Sequence, residues 1–150
     1  MTTRRTFFAA AVTGLFAVLP ASHPLAGSTM HKLALQISDN DPDKMTAVLN
    51  VASNVSRLYA AKGEDVEIQI VAFNAGLHML RTDTSPVKDR LQSFAQGMPN
   101  VSFKACNNTR EAMSKREGKE IEIVPQATLV PAGAITLIEL NEKGWTILRP

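Results

Sequence analysis

Cys106 is the single cysteine among 150 residues, and it lies where an apolar segment changes into a helix-start pattern, in VSFKACNNTREAM. One cysteine cannot form a disulfide within its own chain, so its sulfur is a buried core atom, an intermolecular cross-link or a nucleophile. Asn107, Asn108 and Thr109 follow it and are residue types that cap helices. A helix N-terminus favours a thiolate, because its free N–H groups and its dipole stabilise negative charge. The position therefore favours a reactive thiol, with a small buried hydrophobe as the alternative.

Polar residues near the ends of the predicted strands extend this candidate site. In open α/β sheets, ligands bind beyond the carboxyl ends of the strands. Asn74 and His78 follow the second predicted strand, in VEIQIVAFNAGLHML. The sequence therefore predicts Cys106 as the catalytic residue, with the substrate-binding residues Asn74, His78, Asn107, Asn108 and Thr109.

His78 and Cys106 together would form a soft site suited to copper or zinc. The spacing in GLHML also fits a short helical turn that packs Met79 and Leu80 inward and leaves His78 at a rim, and we favour this interpretation. The sequence contains no Ser-His-Asp pattern, phosphate-binding glycine loop or paired-carboxylate signature. We therefore expect no cofactor and assign no metal site.

The first 28 residues have the features of an export signal. Arg4 and Arg5 precede the apolar segment AAAVTGLFAVL, which is too short to span a bilayer permanently. The paired arginines match the twin-arginine export pattern, which is read by a receptor and is not an anchor. We expect residues 1–28 to be a twin-arginine-type signal peptide, cleaved between Ser22 and Thr29, and the protein to be periplasmic with no stable membrane anchor.

The charge balance argues against a nucleic-acid partner. The chain has 16 Lys and Arg residues against 14 Asp and Glu residues, and Arg4 and Arg5 account for the whole excess. Without a basic stripe the mature chain has little to neutralise phosphates. Residues 29–150 are enough for one domain, and a single cysteine means that this domain does not depend on disulfides.

Strand and helix patterns alternate along residues 29–150. Five strands are predicted, in HKLALQIS, VEIQIVAF, VSFKA, ATLV and WTIL. Helices are predicted to begin near Pro42, Pro86, Asn107 and Ala134, and the charged residues 115–122 are predicted to form an exposed loop. Such alternation predicts an α/β fold with a mostly parallel five-stranded sheet and helices on both faces, as in flavodoxin-like three-layer proteins.

Four segments resemble the DsrE/DsrF-type sulfur-relay proteins: HKLALQISDNDPDKMTAVLNVASNV, VEIQIVAFNAGLHML, VSFKACNNT and VPAGAITLIELNEKGWTILRP. The resemblance spans nearly all of residues 31–150 and depends on the order of segments and on the cysteine after the third strand. It implies a DsrE-like α/β domain, assembly into homotrimers or homohexamers and, in active members, a persulfide-forming cysteine at the position of Cys106. The export signal is a departure, since the best-studied members are cytoplasmic.

The sequence thus supports an exported sulfur carrier or sulfurtransferase that exchanges sulfur with donor and acceptor proteins or small sulfane-sulfur compounds. The alternative is a non-catalytic oligomeric binding module for a small ligand or a soft metal. Assembly is also expected because the helices carry more apolar positions than one small sheet needs: Met45, Val48, Leu49, Val55, Phe94, Ile135 and Ile138.

Overall fold

Five parallel strands form a single sheet in the computed structural model, which describes residues 30–150. The strands are β1 (Met30–Ile37), β2 (Asp65–Ala72), β3 (Val101–Cys106), β4 (Ala127–Val130) and β5 (Thr146–Leu148). The helices are α1 (Pro42–Lys62), a 3₁₀ helix (Asn74–Leu80), α2 (Lys88–Gly97), α3 (Asn107–Glu117) and α4 (Gly133–Glu142). The predicted α/β fold is confirmed, and every strand pairing is parallel.

The predicted export signal at residues 1–28 lies outside the described residues. Within residues 30–150, none of the helices combines the length and the apolar character needed to cross a membrane.

Local sequence signals set the bounds of α1. The Asp41 carboxylate accepts hydrogen bonds from the backbone N–H groups of Asp43 and Lys44, at 2.9 and 3.3 Å, and Pro42 occupies the first turn. Gly63 ends the helix in the left-handed conformation, at φ 71°. Both ends agree with the sequence prediction.

The helices cover the two faces of the sheet unequally. One face of β1, β2 and β3 packs against residues from α1, α2, the 3₁₀ helix and α3. The other face packs against α4, where Leu137 and Leu140 contact the small core around Ala34, Val71 and Trp145. The predicted three-layer arrangement is therefore present.

The order of the strands explains why one face of the sheet carries more helices than the other. The order is β4-β3-β2-β1-β5, so the chain adds β2, β3 and β4 in one direction and then returns past β1 to place β5. Right-handed crossovers put helices on one face while the chain advances and on the other face when it reverses. This order differs from the 2-1-3-4-5 order of flavodoxin. It makes α3 and α4 leave adjacent strands toward opposite faces.

Some predicted boundaries were wrong. Residues 115–117 are exposed as predicted, but they form the last turn of α3, which ends where Gly118 adopts φ 65°. A charged segment can be helical when it lies on a solvent-exposed face. The second helix begins at Lys88 and not beside Pro86, with the Ser85 hydroxyl bonded to the carbonyl of Met79 at 2.5 Å.

The apolar helix positions expected to face a neighbouring subunit are mostly used within the chain. Four of them are buried in its own core and a fifth packs against that core: Met45, Val48, Leu49, Phe94 and Val55. Ile135 and Ile138 on α4 differ, since they are 54% and 55% exposed.

Candidate functional site

Cys106 lies at the sheet edge from which the helices that follow β3 and β4 leave toward opposite faces. It is the last residue of β3, and it pairs in register with Val130, the last residue of β4. From these neighbouring ends, α3 departs to one face of the sheet and α4 to the other. Open parallel sheets bind ligands in the crevice at such a switch point. The thiol therefore occupies the position at which this fold class binds its ligands.

Hydrogen-bond donors surround the sulfur of Cys106. The Thr109 hydroxyl and the backbone N–H groups of Gly133, Thr109 and Asn108 are placed to act on it as hydrogen-bond donors. Neither α3 nor α4 has a side-chain N-cap, and backbone N–H groups from the N-termini of both helices converge on one atom. We call Cys106, Asn108, Thr109 and Gly133 the thiol nest.

The nest changes the acidity of the thiol. Cys106 is only 4% exposed, and this burial raises the pKa of the thiol. The hydrogen bonds from Thr109, Gly133 and Asn108 act in the opposite direction and outweigh it, so the pKa of Cys106 lies below its ordinary value. The result is a buried sulfur whose anionic form is stabilised.

The loop between β4 and α4 brings Gly133 to the sulfur. The Asn108 N–H, which also faces the sulfur, donates to the Pro131 carbonyl at 3.2 Å and so ties this loop to the first turn of α3. A Cβ atom at Gly133 would lie 2.8 Å from the Cβ of Phe73, closer than real side chains approach. Glycine is therefore needed for α4 to begin this close to Phe73, which directly follows β2.

Asn74 contributes through its backbone. Its N–H donates to Oγ1 of Thr109 at 3.0 Å, while the Thr109 hydroxyl donates onward to the sulfur of Cys106. Asn74 is the one non-glycine residue among positions 30–150 with a positive φ, at 49°. Asparagine tolerates this left-handed conformation better than most residues. The bond fixes the orientation of the Thr109 hydroxyl.

A cleft of about 450 Å³ lies beside the nest, between the 3₁₀ helix and α3. It shares Asn108 and Thr109 with the nest, so a molecule bound in it would contact the groups that bond the sulfur. We call it the α3 cleft. Its lining residues are Asn74, Ala75, His78, Asn108, Thr109, Ala112, Met113 and Arg116.

His78 lies at the rim of this cleft, as predicted, while Met79 and Leu80 are fully buried. Its Nδ1 atom is 2.8 Å from Oγ1 of Thr84. Partial burial lowers the pKa of His78, and the nearby positive charge of Arg81 lowers that pKa further. The imidazole is therefore biased toward its neutral form, which can donate or accept a hydrogen bond.

Asn107 is directed elsewhere. Its side chain accepts from Nε of Arg110 at 3.0 Å and donates to Glu111 at 2.7 Å, and it lines neither the nest nor the cleft. The expectation that Asn107, Asn108 and Thr109 would cap α3 was also wrong: Cys106 occupies the cap position, and no side chain caps the helix. The other predicted residues surround the nest and the cleft.

The site includes residues that were not among the predicted catalytic and substrate-binding residues. Gly133 follows the fourth strand and so lies at the predicted ligand edge, but only the return of α4 across the sheet brings its N–H to Cys106. Arg116 was assigned to a loop. Nothing in the sequence around Arg81 predicts that it is buried, although only 1% of it is exposed.

Arg81 connects the two walls of the α3 cleft. Its guanidinium bonds to both carboxylate oxygens of Asp83 at 2.9 and 2.8 Å, and to both oxygens of Glu117 at 2.7 and 2.8 Å. The hydrogen bonds from Arg81 lower the pKa of both carboxyl groups. We call these three residues the Arg81 clamp. It joins the loop after the 3₁₀ helix to the last turn of α3.

The sequence raised a soft-metal site at His78 and Cys106. Within residues 30–150, no group of three or more His, Cys, Asp or Glu side chains is placed to hold a metal ion. His78 bonds to Thr84 and is not among the groups that bond the sulfur.

Comparison with known proteins extends the finding on the fold but not on activity. No protein-family model and no curated protein match the chain. Among solved structures, it is similar to a protein of unknown function, MTH1491, from Methanobacterium thermoautotrophicum. The two share 26% sequence identity and superpose with a TM-score of 0.65, over 80% of this chain and 99% of the other. This neighbour is consistent with the α/β fold, and its function is itself unknown.

Proposed function

We propose that this protein is a sulfur carrier in which Cys106 accepts sulfane sulfur as a persulfide and passes it to an acceptor nucleophile. One observation carries the proposal: donors from two helix N-termini and the Thr109 hydroxyl converge on one buried sulfur and lower its pKa. A buried structural cysteine needs no such donors, since it behaves as a small hydrophobe.

The chemistry requires one nucleophilic thiolate. Sγ of Cys106 attacks the sulfane sulfur of a donor, the donor's own sulfur–sulfur bond breaks, and its electron pair leaves on the departing group. Once ionised, the product persulfide is an anion one atom longer than the thiolate. The N–H groups of Asn108, Thr109 and Gly133 are suited to stabilise both anions, because charge-assisted hydrogen bonds are stronger than neutral ones.

The resemblance to DsrE/DsrF-type proteins supports the same proposal, since Cys106 matches the position of their persulfide-forming cysteine. We propose with it a homotrimeric or homohexameric assembly and a periplasmic location reached by the twin-arginine route. Replacement of Arg4 and Arg5 by lysine should block export, which cell fractionation would detect.

The decisive experiment treats the pure protein with a sulfane-sulfur donor and follows its intact mass. We expect a gain of one sulfur atom that a reductant removes. Because Cys106 is the single cysteine, Cys106→Ser should abolish the gain. A wild-type protein that stays unmodified under conditions that load an established carrier would refute the proposal.

A non-catalytic binding module is the second candidate. The low exposure of Cys106 favours it, because a donor must reach a sulfur that is almost covered, whereas the α3 cleft is open to a small ligand. In that case a ligand would bind equally well to wild type and to Cys106→Ser. The sulfur-loading experiment separates the two.

A further inference from the structure

We propose that the α3 cleft binds the organic part of the sulfur donor, and that this donor is a low-molecular-weight persulfide carrying a carboxylate, held by Arg116. The inference rests on the proposed function, since it names the substrate class for the same thiol.

Arg116 is a cation without a partner. Within residues 30–150 it forms no ion pair or hydrogen bond, whereas Arg81 and Arg110 on the same side of the molecule are paired with Glu117 and Glu120. Arg116 lines the cleft together with His78, and its charge contributes to lowering the pKa of that histidine. The guanidinium is therefore available to an anion in the cleft.

The remaining lining suits an anionic, hydrogen-bonding ligand. No carboxylate lines the cleft, although Asp83 and Glu117 lie close enough to act on the pKa of His78. The side-chain amides of Asn74 and Asn108 also lack hydrogen-bond partners within residues 30–150. His78 adds a polar imidazole, while Ala75 and Ala112 leave space.

The separation between Arg116 and the N-terminus of α3, where Cys106 lies, limits the kind of donor. Arg116 lies eight residues beyond Asn108 on α3, which corresponds to about 12 Å along the helix axis. Its side chain leans back toward the helix N-terminus and shortens this gap only in part. A donor held by Arg116 must span what remains of this distance to bring its sulfur to Cys106, which favours a donor longer than a compact ion such as thiosulfate. A volume of about 450 Å³ fits a molecule of short-peptide size.

The transfer step balances without another reactant. The Cys106 thiolate attacks the terminal sulfur of the organic persulfide, a new bond from Sγ to that sulfur forms, and the donor's sulfur–sulfur bond breaks. The electron pair leaves on the donor's thiolate, and the proton stays on the transferred sulfur. Cys106 becomes a persulfide, and the donor becomes its parent thiol.

Two donors of equal chemistry but different size and charge test the assignment: glutathione persulfide, which has carboxylates, and hydroxyethyl persulfide, which has none. Rates of Cys106 loading are followed by intact mass in wild type and Arg116→Gln, with Lys115→Gln as the matched control. Lys115 is the neighbouring exposed cation on α3 and does not line the cleft. We expect Arg116→Gln to slow loading from glutathione persulfide about tenfold, by loss of a charged hydrogen bond. Loading from hydroxyethyl persulfide and the rates of Lys115→Gln should stay unchanged.

A second variant, Ala112→Leu, narrows the cleft with a residue of high helix propensity. It should slow loading from glutathione persulfide and spare the smaller donor. Equal effects on both donors, or no effect of either cleft variant, would overturn the assignment of the cleft while leaving the carrier function in place. Failure of wild type to load from both donors would instead overturn the proposed function.

Discussion

Arg81 and Glu117 are joined by two parallel hydrogen bonds, of 2.7 Å from Nη1 and 2.8 Å from Nη2, although they are 36 residues apart in the chain. Arg81 lies directly after the 3₁₀ helix, and Glu117 is in the last turn of α3. The pair therefore holds the two walls of the α3 cleft at a fixed separation. Bidentate pairing of this kind gives geometric specificity as well as energy.

The Arg81 clamp should make stability depend on acid. Hydrogen bonds from Arg81 hold the pKa values of Asp83 and Glu117 below their unfolded values of about 4. A carboxyl with a lowered folded-state pKa contributes stability above its unfolded pKa and loses it as pH falls through the folded pKa. We expect the Tm to be flat near neutral pH and to fall below about pH 4.

The same measurement on Glu117→Gln supplies the control. That variant should have a lower Tm than wild type at pH 7 and a weaker dependence on acid, because one of the two titrating partners is gone. Glu111→Gln on the outer surface of α3 should behave like wild type. Parallel acid curves for wild type and Glu117→Gln would rule out a stabilising role of this pair.

Thr109→Val should raise the pKa of Cys106. The substitution keeps the shape of the side chain but removes the hydroxyl that bonds the sulfur, while burial continues to raise that pKa. Each unit of increase costs roughly a factor of ten in thiolate at neutral pH. Alkylation rates with iodoacetamide across a pH series measure the change.

Thr109→Ser, which retains the hydroxyl, should restore most of the wild-type alkylation profile. An unchanged profile in Thr109→Val would mean that the backbone donors alone set the acidity of the thiol. Alkylation of wild type only after denaturation would favour a buried structural cysteine.

Gly133→Ala should destabilise the protein and disturb the nest together. Its Cβ would press on Phe73 at 2.8 Å, so α4 must shift, and overpacking of this kind costs about 1–3 kcal/mol. The shift would move the Gly133 N–H away from the sulfur and raise the pKa of Cys106. Urea unfolding and the alkylation profile would report both effects.

Gly97→Ala is the matched control, because a Cβ at Gly97 in α2 meets no atom within 4 Å. Its stability should be equal to wild type or slightly higher, since alanine favours the helix. A Gly133→Ala protein with wild-type stability and thiol acidity would show that α4 is not held by this contact.

The sequence predicted most elements because their signals are local. Alternating apolar residues in β2 and the caps of α1 at Asp41 and Gly63 need no tertiary information. The position of Cys106 between strand and helix followed from the same patterns. What could not be predicted depends on the path of α4: Gly133 reaches Cys106 only because the chain reverses direction after β4. Likewise, no residue near Arg81 in the sequence predicts its bond to Glu117.

Assembly is the remaining expectation, and the structure narrows where an interface would lie. Ile135 and Ile138 are one helical turn apart on the outer side of α4, and both are exposed. On the sheet face that α4 partly covers, Ser102 and Lys104 of β3 are only half-buried. Parallel sheets are normally covered on both faces, so this face is suited to contact another subunit.

The resemblance to DsrE/DsrF-type proteins implies a homotrimer or homohexamer, which light scattering at micromolar concentration would detect. Because the exposed face lies on α4, we expect Ile135→Glu/Ile138→Glu to be a folded monomer. Charges in an apolar interface leave uncompensated buried groups, which disfavour association. Leu58→Glu, at an equally exposed apolar position on α1, should leave the assembly intact. Circular dichroism would verify the fold of each variant. A monomeric wild type would contradict the assembly and would leave Cys106 to act from a site built by one chain, whereas an assembly unaffected by the double substitution would place the interface on another surface.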